Sequence, residues 1–138
     1  MVLMIDDNIL LDVLADRQPY ADDSDLIWKL CETGSDEGVI CTHTVANIMY
    51  IMRKEWDPEM RREVLMKLRE IFTIADTQKV DLVRGAACRW KDFEDAVRSA
   101  IAVRIRADYI ITRNERDYEG SAVPAISPEQ FLQKKLQS

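Results

Sequence analysis

The chain has one histidine, three cysteines, four glycines and four prolines in 138 residues, and no apolar run long enough to span a bilayer. Each shortage excludes something. With His43 alone, a two-histidine acid–base ribonuclease within one chain is ruled out. Cys31, Cys41 and Cys88 are odd in number, far apart and set in apolar stretches, whereas a structural zinc site wants CxxC-type pairs. Buried reduced thiols are the expectation. No stretch approaches the roughly 18 apolar residues of a membrane helix, and Met1 to Leu14 lacks the positive start of a signal peptide, so a cytoplasmic protein without a membrane partner is expected. No repeat, linker or low-complexity stretch interrupts residues 1–138, which read as one domain. No alternation of basic and aromatic residues surrounds Met49, Met52, Trp56 or Trp90, which reads as core or interface rather than a base-stacking platform.

The chain is 47% hydrophobic, enough for one core. Its net charge of −6 speaks against a uniformly basic nucleic-acid surface. The charge is uneven, however. Residues 1–50 hold two Lys/Arg against ten Asp/Glu, and the remaining 17 and 15 give residues 51–138 a net +2. An acidic cluster can hold a cation while a more basic remainder meets phosphate.

Short apolar runs alternate with helical stripes. Strands are predicted at Val2–Ile5, Val39–Cys41, Ile71–Ile74, Ala107–Ile111 and Ala122–Ile126. Between them, Ile9, Leu10, Val13 and Leu14 recur at helical spacing. Leu26, Ile27, Leu30 and Cys31 follow Ser24 as a candidate cap, with Gly34 closing the helix, and Val45, Ile48, Met49 and Met52 follow Thr42 or Thr44. Asp57-Pro58 opens a helix turning Val64, Leu65 and Leu68 inward. Val80–Trp90 carries Leu82, Val83, Ala86 and Ala87, and Asp92 caps a helix with Val97, Ala100, Ile101 and Ile105 on one face. Ser127-Pro128-Glu129-Gln130 is a capping box for a last helix. This alternation predicts an α/β fold, a three-layer α/β/α sandwich on a mainly parallel sheet of four or five strands.

In such a sheet ligands bind beyond the carboxyl ends of the strands, near the point where strand order reverses. Three acidic clusters fall there: Asp6-Asp7-Asn8 after the first strand, Asp92-Phe93-Glu94-Asp95 before the fourth, and Thr112 to Asp117 after it. Converging carboxylates stay ionised together when a cation neutralises them, which favours Mg²⁺ or Mn²⁺. Singly, each has a plainer role: Asp6, Asn8, Asp92 and Asp95 as helix caps or dipole partners, Asn114 to Asp117 as a turn.

At these residues the chain resembles the PIN-domain family. Ile5-Asp6-Asp7-Asn8-Ile9-Leu10-Leu11-Asp12 resembles its opening, an apolar run followed by Asp, Ser/Thr and Asn. Asp92 through Asn114, with Asp117-Tyr118, resembles the second half of VapC-like toxins, and Ser127 to Leu132 continues the likeness. The resemblance implies Mg²⁺-dependent RNA hydrolysis by the toxin of a toxin–antitoxin pair, an antitoxin partner and a homodimer, to which Met49, Met52, Trp56, Met60 and Met66 offer apolar surface. It implies Asp6 and Asp95 as metal ligands and catalytic residues, joined by Asp117 or Asn114. Asp7, Asn8, Asn47, Asp92 and Thr112 would support them, and Arg113 and Arg116 would meet substrate phosphate. Two positions depart from the family. Its second acidic residue is absent from Thr42 to Asn47, where Asn47 is the nearest polar group, and its fourth is Asn114, with Asp117 three residues later. A neutral set would hold a second ion weakly, which suggests one ion, or a second held partly by substrate phosphate.

In this reading a bound ion lowers the pKa of a water and orients it in line with the phosphodiester, and Asp117 or Asp7 accepts the proton. Two other readings compete. Met4 to Asn8 also resembles the strand end of phosphoacceptor receivers, but Val39 to Thr42 lacks their acceptor Asp and Val123 to Pro128 their Lys-Pro. A PIN-fold binding module that has lost activity would explain the absent second acid.

Overall fold

The computed structural model describes residues 1–137. Five strands, β1 (Val2–Ile5), β2 (Glu37–Cys41), β3 (Thr73–Ala75), β4 (Tyr109–Ile111) and β5 (Ala125–Ile126), form one sheet in the order β3-β2-β1-β4-β5. Every pairing is parallel. Seven helices are described: α1 (Asp7–Leu14), α2 (Ala21–Glu32), α3 (Thr42–Ile51), α4 (Pro58–Ile71), α5 (Lys79–Cys88), α6 (Phe93–Arg104) and α7 (Pro128–Gln137).

Period-two alternation splits the strands between two cores. Leu3, Ile5, Ile40, Ile111 and Ile126 pack with Ile9 and Leu10 of α1, Ile27 and Trp28 of α2, Leu68 of α4 and Phe131 of α7. Met4, Val39, Cys41 and Ile110 face the other way, onto Val97, Ile101 and Ala102 of α6. Helices thus cover both faces, which is the expected sandwich. Because both faces are buried, the strands read as continuous apolar runs. Strand order runs one way from β1 to β3 and the other way to β4 and β5, so the reversal lies between β1 and β4.

The structure moves several local boundaries. The third strand starts at Thr73, because the helix before it continues through Ile71; the fourth and fifth start at Tyr109 and Ala125. Helix α2 starts at Ala21, so Ser24 is no cap; it is buried and donates to Asp12 Oδ2 at 3.1 Å. Asp57, Asp92 and Ser127 do cap their helices, accepting from the backbone N–H of Met60, Asp95 and Gln130. Leu26 and Leu65 point outward, as do Leu82 and Val83. Helix α5 instead turns Asp81 and Gly85 inward: Gly85 allows close approach to Val97 of α6, and Asp81 receives the Arg104 guanidinium at 2.9 and 3.1 Å. Cys31 and Cys41 are buried, and burial pushes both thiols up to about 12. Cys88 is exposed.

Candidate active site

The end of β1 is fixed by register. Ile5 pairs with Ile111, and the Asp6 N–H donates to Ile111 O at 3.0 Å, so Asp6 leaves the sheet beside Thr112. There Asp6 does two jobs. One carboxylate oxygen caps α1, accepting the Asp7 N–H at 2.7 Å; the other accepts the Thr112 hydroxyl at 2.7 Å. Thr112 Oγ1 in turn accepts the Asn114 N–H at 3.0 Å, which shapes the turn leading to a 3₁₀ segment at Glu115–Tyr118.

Helix α6 supplies the facing carboxylate. Asp92 caps it, and Asp95 lies one turn in, 8% exposed. Between Asp6 and Asp95 stands Arg98, which is 1% exposed. Its Nη1 lies 3.1 Å from Asp6 Oδ1 and 3.0 Å from Asp95 Oδ1, which bounds the separation of those oxygens at roughly 6 Å. Nη1 also donates to the Tyr118 hydroxyl at 2.8 Å, and that hydroxyl donates to Asp95 Oδ1 at 3.0 Å. Nη2 donates to Asp7 Oδ1 and to Thr44 Oγ1. Asp7 accepts two further bonds, from Thr44 Oγ1 and Asn47 Nδ2, both at 2.7 Å.

Asp6, Asp7, Asn8, Asn47, Asp92, Glu94, Asp95, Asn114 and Asp117 all line one cleft of about 260 Å³, with Leu11, Ile51 and Arg98 as its remaining wall. Burial, reinforced by the nearby Asp6 carboxylate, pushes the Asp95 carboxyl up to about 6. Burial and Asp7 raise Glu94 as well. Arg98 is held firmly charged: burial alone would lower its pKa, but Tyr118, Asp6 and Asp7 raise it.

The donor set is chemically suited to a hard divalent ion, since the cleft offers carboxylate and amide oxygens and neither thiol nor imidazole. No group of three or more His, Cys, Asp or Glu side chains among the described residues is arranged to hold a metal ion, and Arg98 stands between Asp6 and Asp95. An ion would be held from the cleft side, by Asp6 and Asp95 with Asp117 and the Asn114 amide oxygen.

The two arginines singled out in the sequence part company. Arg113 turns away from the cleft and grips the buried Asp12 through Nε and Nη2 at 2.9 and 3.0 Å, its guanidinium stacked 3.9 Å above the Tyr20 ring. Arg116 lines a neighbouring groove that shares Asp92 and Asp117 with the cleft. His43 lies outside the cleft wall, its Nδ1 2.9 Å from Thr77 Oγ1, and burial lowers its pKa. Arg98, Thr44 and Tyr118 join the site without a place in the sequence-based set, whereas Glu94 belongs to the acidic cluster expected there. A signal for Arg98 existed: it interrupts the apolar run Ala96-Val97…Ser99-Ala100-Ile101-Ala102 one turn after Asp95.

The family model described as PIN domain matches residues 2–116, from β1 through the turn after β4. The chain belongs to the PIN-domain family. This PIN protein is similar in fold to a toxin–antitoxin complex from Klebsiella pneumoniae, at 23% identity and TM-score 0.70 over 91% of this chain and 97% of that one. It is likewise similar to FitAcB from Neisseria gonorrhoeae, at 15% identity and TM-score 0.70 over 94% and 99%. VapBC2 from Rickettsia felis, solved bound to a promoter DNA fragment, aligns at 15% identity and TM-score 0.65 over 92% and 98%. No curated protein matches the sequence.

Proposed function

We infer that this PIN protein is a Mg²⁺- or Mn²⁺-dependent endoribonuclease and the toxin of a toxin–antitoxin pair. The observation that carries the reading is the convergence of Asp6 and Asp95, from elements 89 positions apart in the chain, on one cleft at the reversal of strand order. The toxin–antitoxin assemblies among its structural neighbours support an antitoxin partner. When bound, the ion would supply an acidified water and charge to offset the phosphorane.

The chain's own residues divide the remaining work. Asp6, Asp95, Asp117 and Asn114 hold the ion. Asp7 has both oxygens engaged by Thr44, Asn47 and Arg98, so in this reading the proton goes to Asp117. Arg116 shares a groove with Asp117 and in this reading would meet a flanking phosphate, whereas Arg113 is committed to Asp12. Asn8, Asp92 and Thr112 shape the cleft wall and its caps. No helix among the described residues is long and apolar enough to cross a membrane, and we place the protein in the cytoplasm. We also assign a homodimer, since Met60 and Met66 expose apolar surface while Met49, Met52 and Trp56 lean on the core; light scattering at micromolar concentration should give twice the chain mass.

The absence of the second acid, with Asn47 bonded to Asp7 in its region, favours a second reading: a PIN-fold binding module without activity. A fluorogenic RNA assay separates the two. Cleavage should require Mg²⁺ or Mn²⁺, stop with EDTA and vanish in Asp6→Asn and Asp95→Asn proteins that still melt cooperatively. Protein inert toward RNA at all metal concentrations would establish the module instead.

A further inference from the structure

The most unusual group in the molecule is a fully charged guanidinium buried inside a carboxylate cluster. Burying Arg98 is costly unless its charge is matched and its donors are used, and three aspartates match it. Asp6, Asp7 and Asp95 all lie in contact with its two η nitrogens, while Thr44 and Tyr118 complete the shell. Its Nε is buried without a partner, so the side chain is held by its tip alone. Asp7 stands at the position where the family opening has Ser or Thr. The extra negative charge and the buried positive charge face each other.

We propose that Arg98 is a built-in cation that takes the place of a second metal ion, holding the inner carboxylates of this site together without metal and leaving the cleft a single divalent ion. The geometry gives the reason. An ion bridging Asp6 Oδ1 and Asp95 Oδ1 would need contacts of about 2.1 Å to the two oxygens that Nη1 already holds at 3.1 and 3.0 Å, so guanidinium and ion exclude one another there. Asp95 Oδ2 receives no hydrogen bond from the described residues and is left for the cleft-side ion with Asp117. Arg98 forms part of the cleft wall but is only 1% exposed and spends its η nitrogens on Asp6, Asp7, Asp95, Thr44 and Tyr118, so it acts through the carboxylates it holds and is a positioning residue. The inference rests on the metal-dependent reading above, and its test keeps the two apart.

The experiment uses Mn²⁺ alone, without RNA, on the full chain and on Arg98→Gln, reading bound Mn²⁺ per chain by equilibrium dialysis and electron paramagnetic resonance. The native protein should bind one ion with an uncoupled signal, and Arg98→Gln should bind two with an exchange-coupled signal. Thermal melting in EDTA supplies the second readout: the native midpoint should shift little on adding Mn²⁺, whereas the variant should start lower and be raised more. If Arg98→Gln fails to fold, Asp7→Ser/Arg98→Gln removes one charge of each sign and is measured in its place. Two ions in the native protein, or one in both proteins, would overturn the built-in cation and leave the metal-dependent nuclease standing. No Mn²⁺ bound to either would overturn both.

Discussion

Arg113 is bound to Asp12 by two parallel hydrogen bonds, 2.9 Å from Nε and 3.0 Å from Nη2, and this pair ties the turn after β4 to the middle of α1. The Asp12 side chain is wholly buried, with Ser24 as its only other side-chain donor among the described residues. Removing the guanidinium strands a buried carboxylate, so Arg113→Gln should lose on the order of 2–3 kcal/mol of stability. Urea unfolding measures it. An unchanged midpoint, with a raised KM for RNA, would return Arg113 to the role of phosphate contact.

His43 tests the chemistry from the opposite side. Its ring bonds Thr77 rather than anything in the cleft, so His43→Ala should leave metal-dependent cleavage within about twofold of native, a difference below roughly 0.5 kcal/mol in barrier. A loss as deep as that of Asp6→Asn, read in the same RNA assay, would point to acid–base catalysis by the imidazole.

Gly85 predicts a reversal of ordinary helix propensity. Alanine is favoured over glycine inside a helix by about 1 kcal/mol. Yet a Cβ at Gly85 would sit 2.8 Å from Val97 Cγ2 and 3.0 Å from the Val97 backbone nitrogen, and backbone cannot swing aside. Gly85→Ala should therefore lower the thermal midpoint, at a net cost of about 1–3 kcal/mol. A rise would mean that α5 can lift off α6 freely.

Asp81 sets a pH dependence. Burial alone would raise its pKa, but the hydrogen bonds from Arg104 and the Gln78 N–H hold it below the usual carboxylate range. A carboxylate depressed in the folded state adds stability that is present above its unfolded pKa of about 4 and is lost as pH falls through the folded value. The stability gap between native protein and Asp81→Asn should thus be full at pH 7 and close progressively below about pH 4. A gap that stays constant down to pH 2.5 in urea titrations would contradict the pairing.

The sheet and its two helical layers were readable because a doubly buried parallel strand has a simple signature, an apolar run bounded by polar loops. Val2–Ile5 shows it fully, and its expected bounds coincide with β1. What resisted reading depends on distant partners. Helix α5 carries Leu82 and Val83 but buries Asp81 and Gly85, since the inward face is chosen by Arg104 and Val97 of α6 rather than by hydrophobicity. Ser24 looked like a cap because serine commonly is one; its actual partner, Asp12, lies in another helix. In the cleft, loop position was enough to bring the three acidic clusters together, and the resemblance to PIN domains picked Asp6, Asp95, Asn114 and Asp117 out of them; all four line the cleft. The cation among them leaves a signal in the sequence, since Arg98 interrupts an apolar helix face, but its partners show only in three dimensions.

The position of β1 between β2 and β4 also governs when the cleft can exist. The earliest strand in chain order is the middle one, and its pairing with Tyr109–Ile111 closes a loop of more than a hundred residues. As the chain emerges during synthesis, Asp6 appears well before α6 and β4. A truncated or half-folded chain therefore carries Asp6 and Asp7 without Arg98 to bind them, and the carboxylates gather only as the last strands dock. Ion binding should appear in a single late kinetic phase of refolding, together with the long-range contacts that make such sheets slow to form.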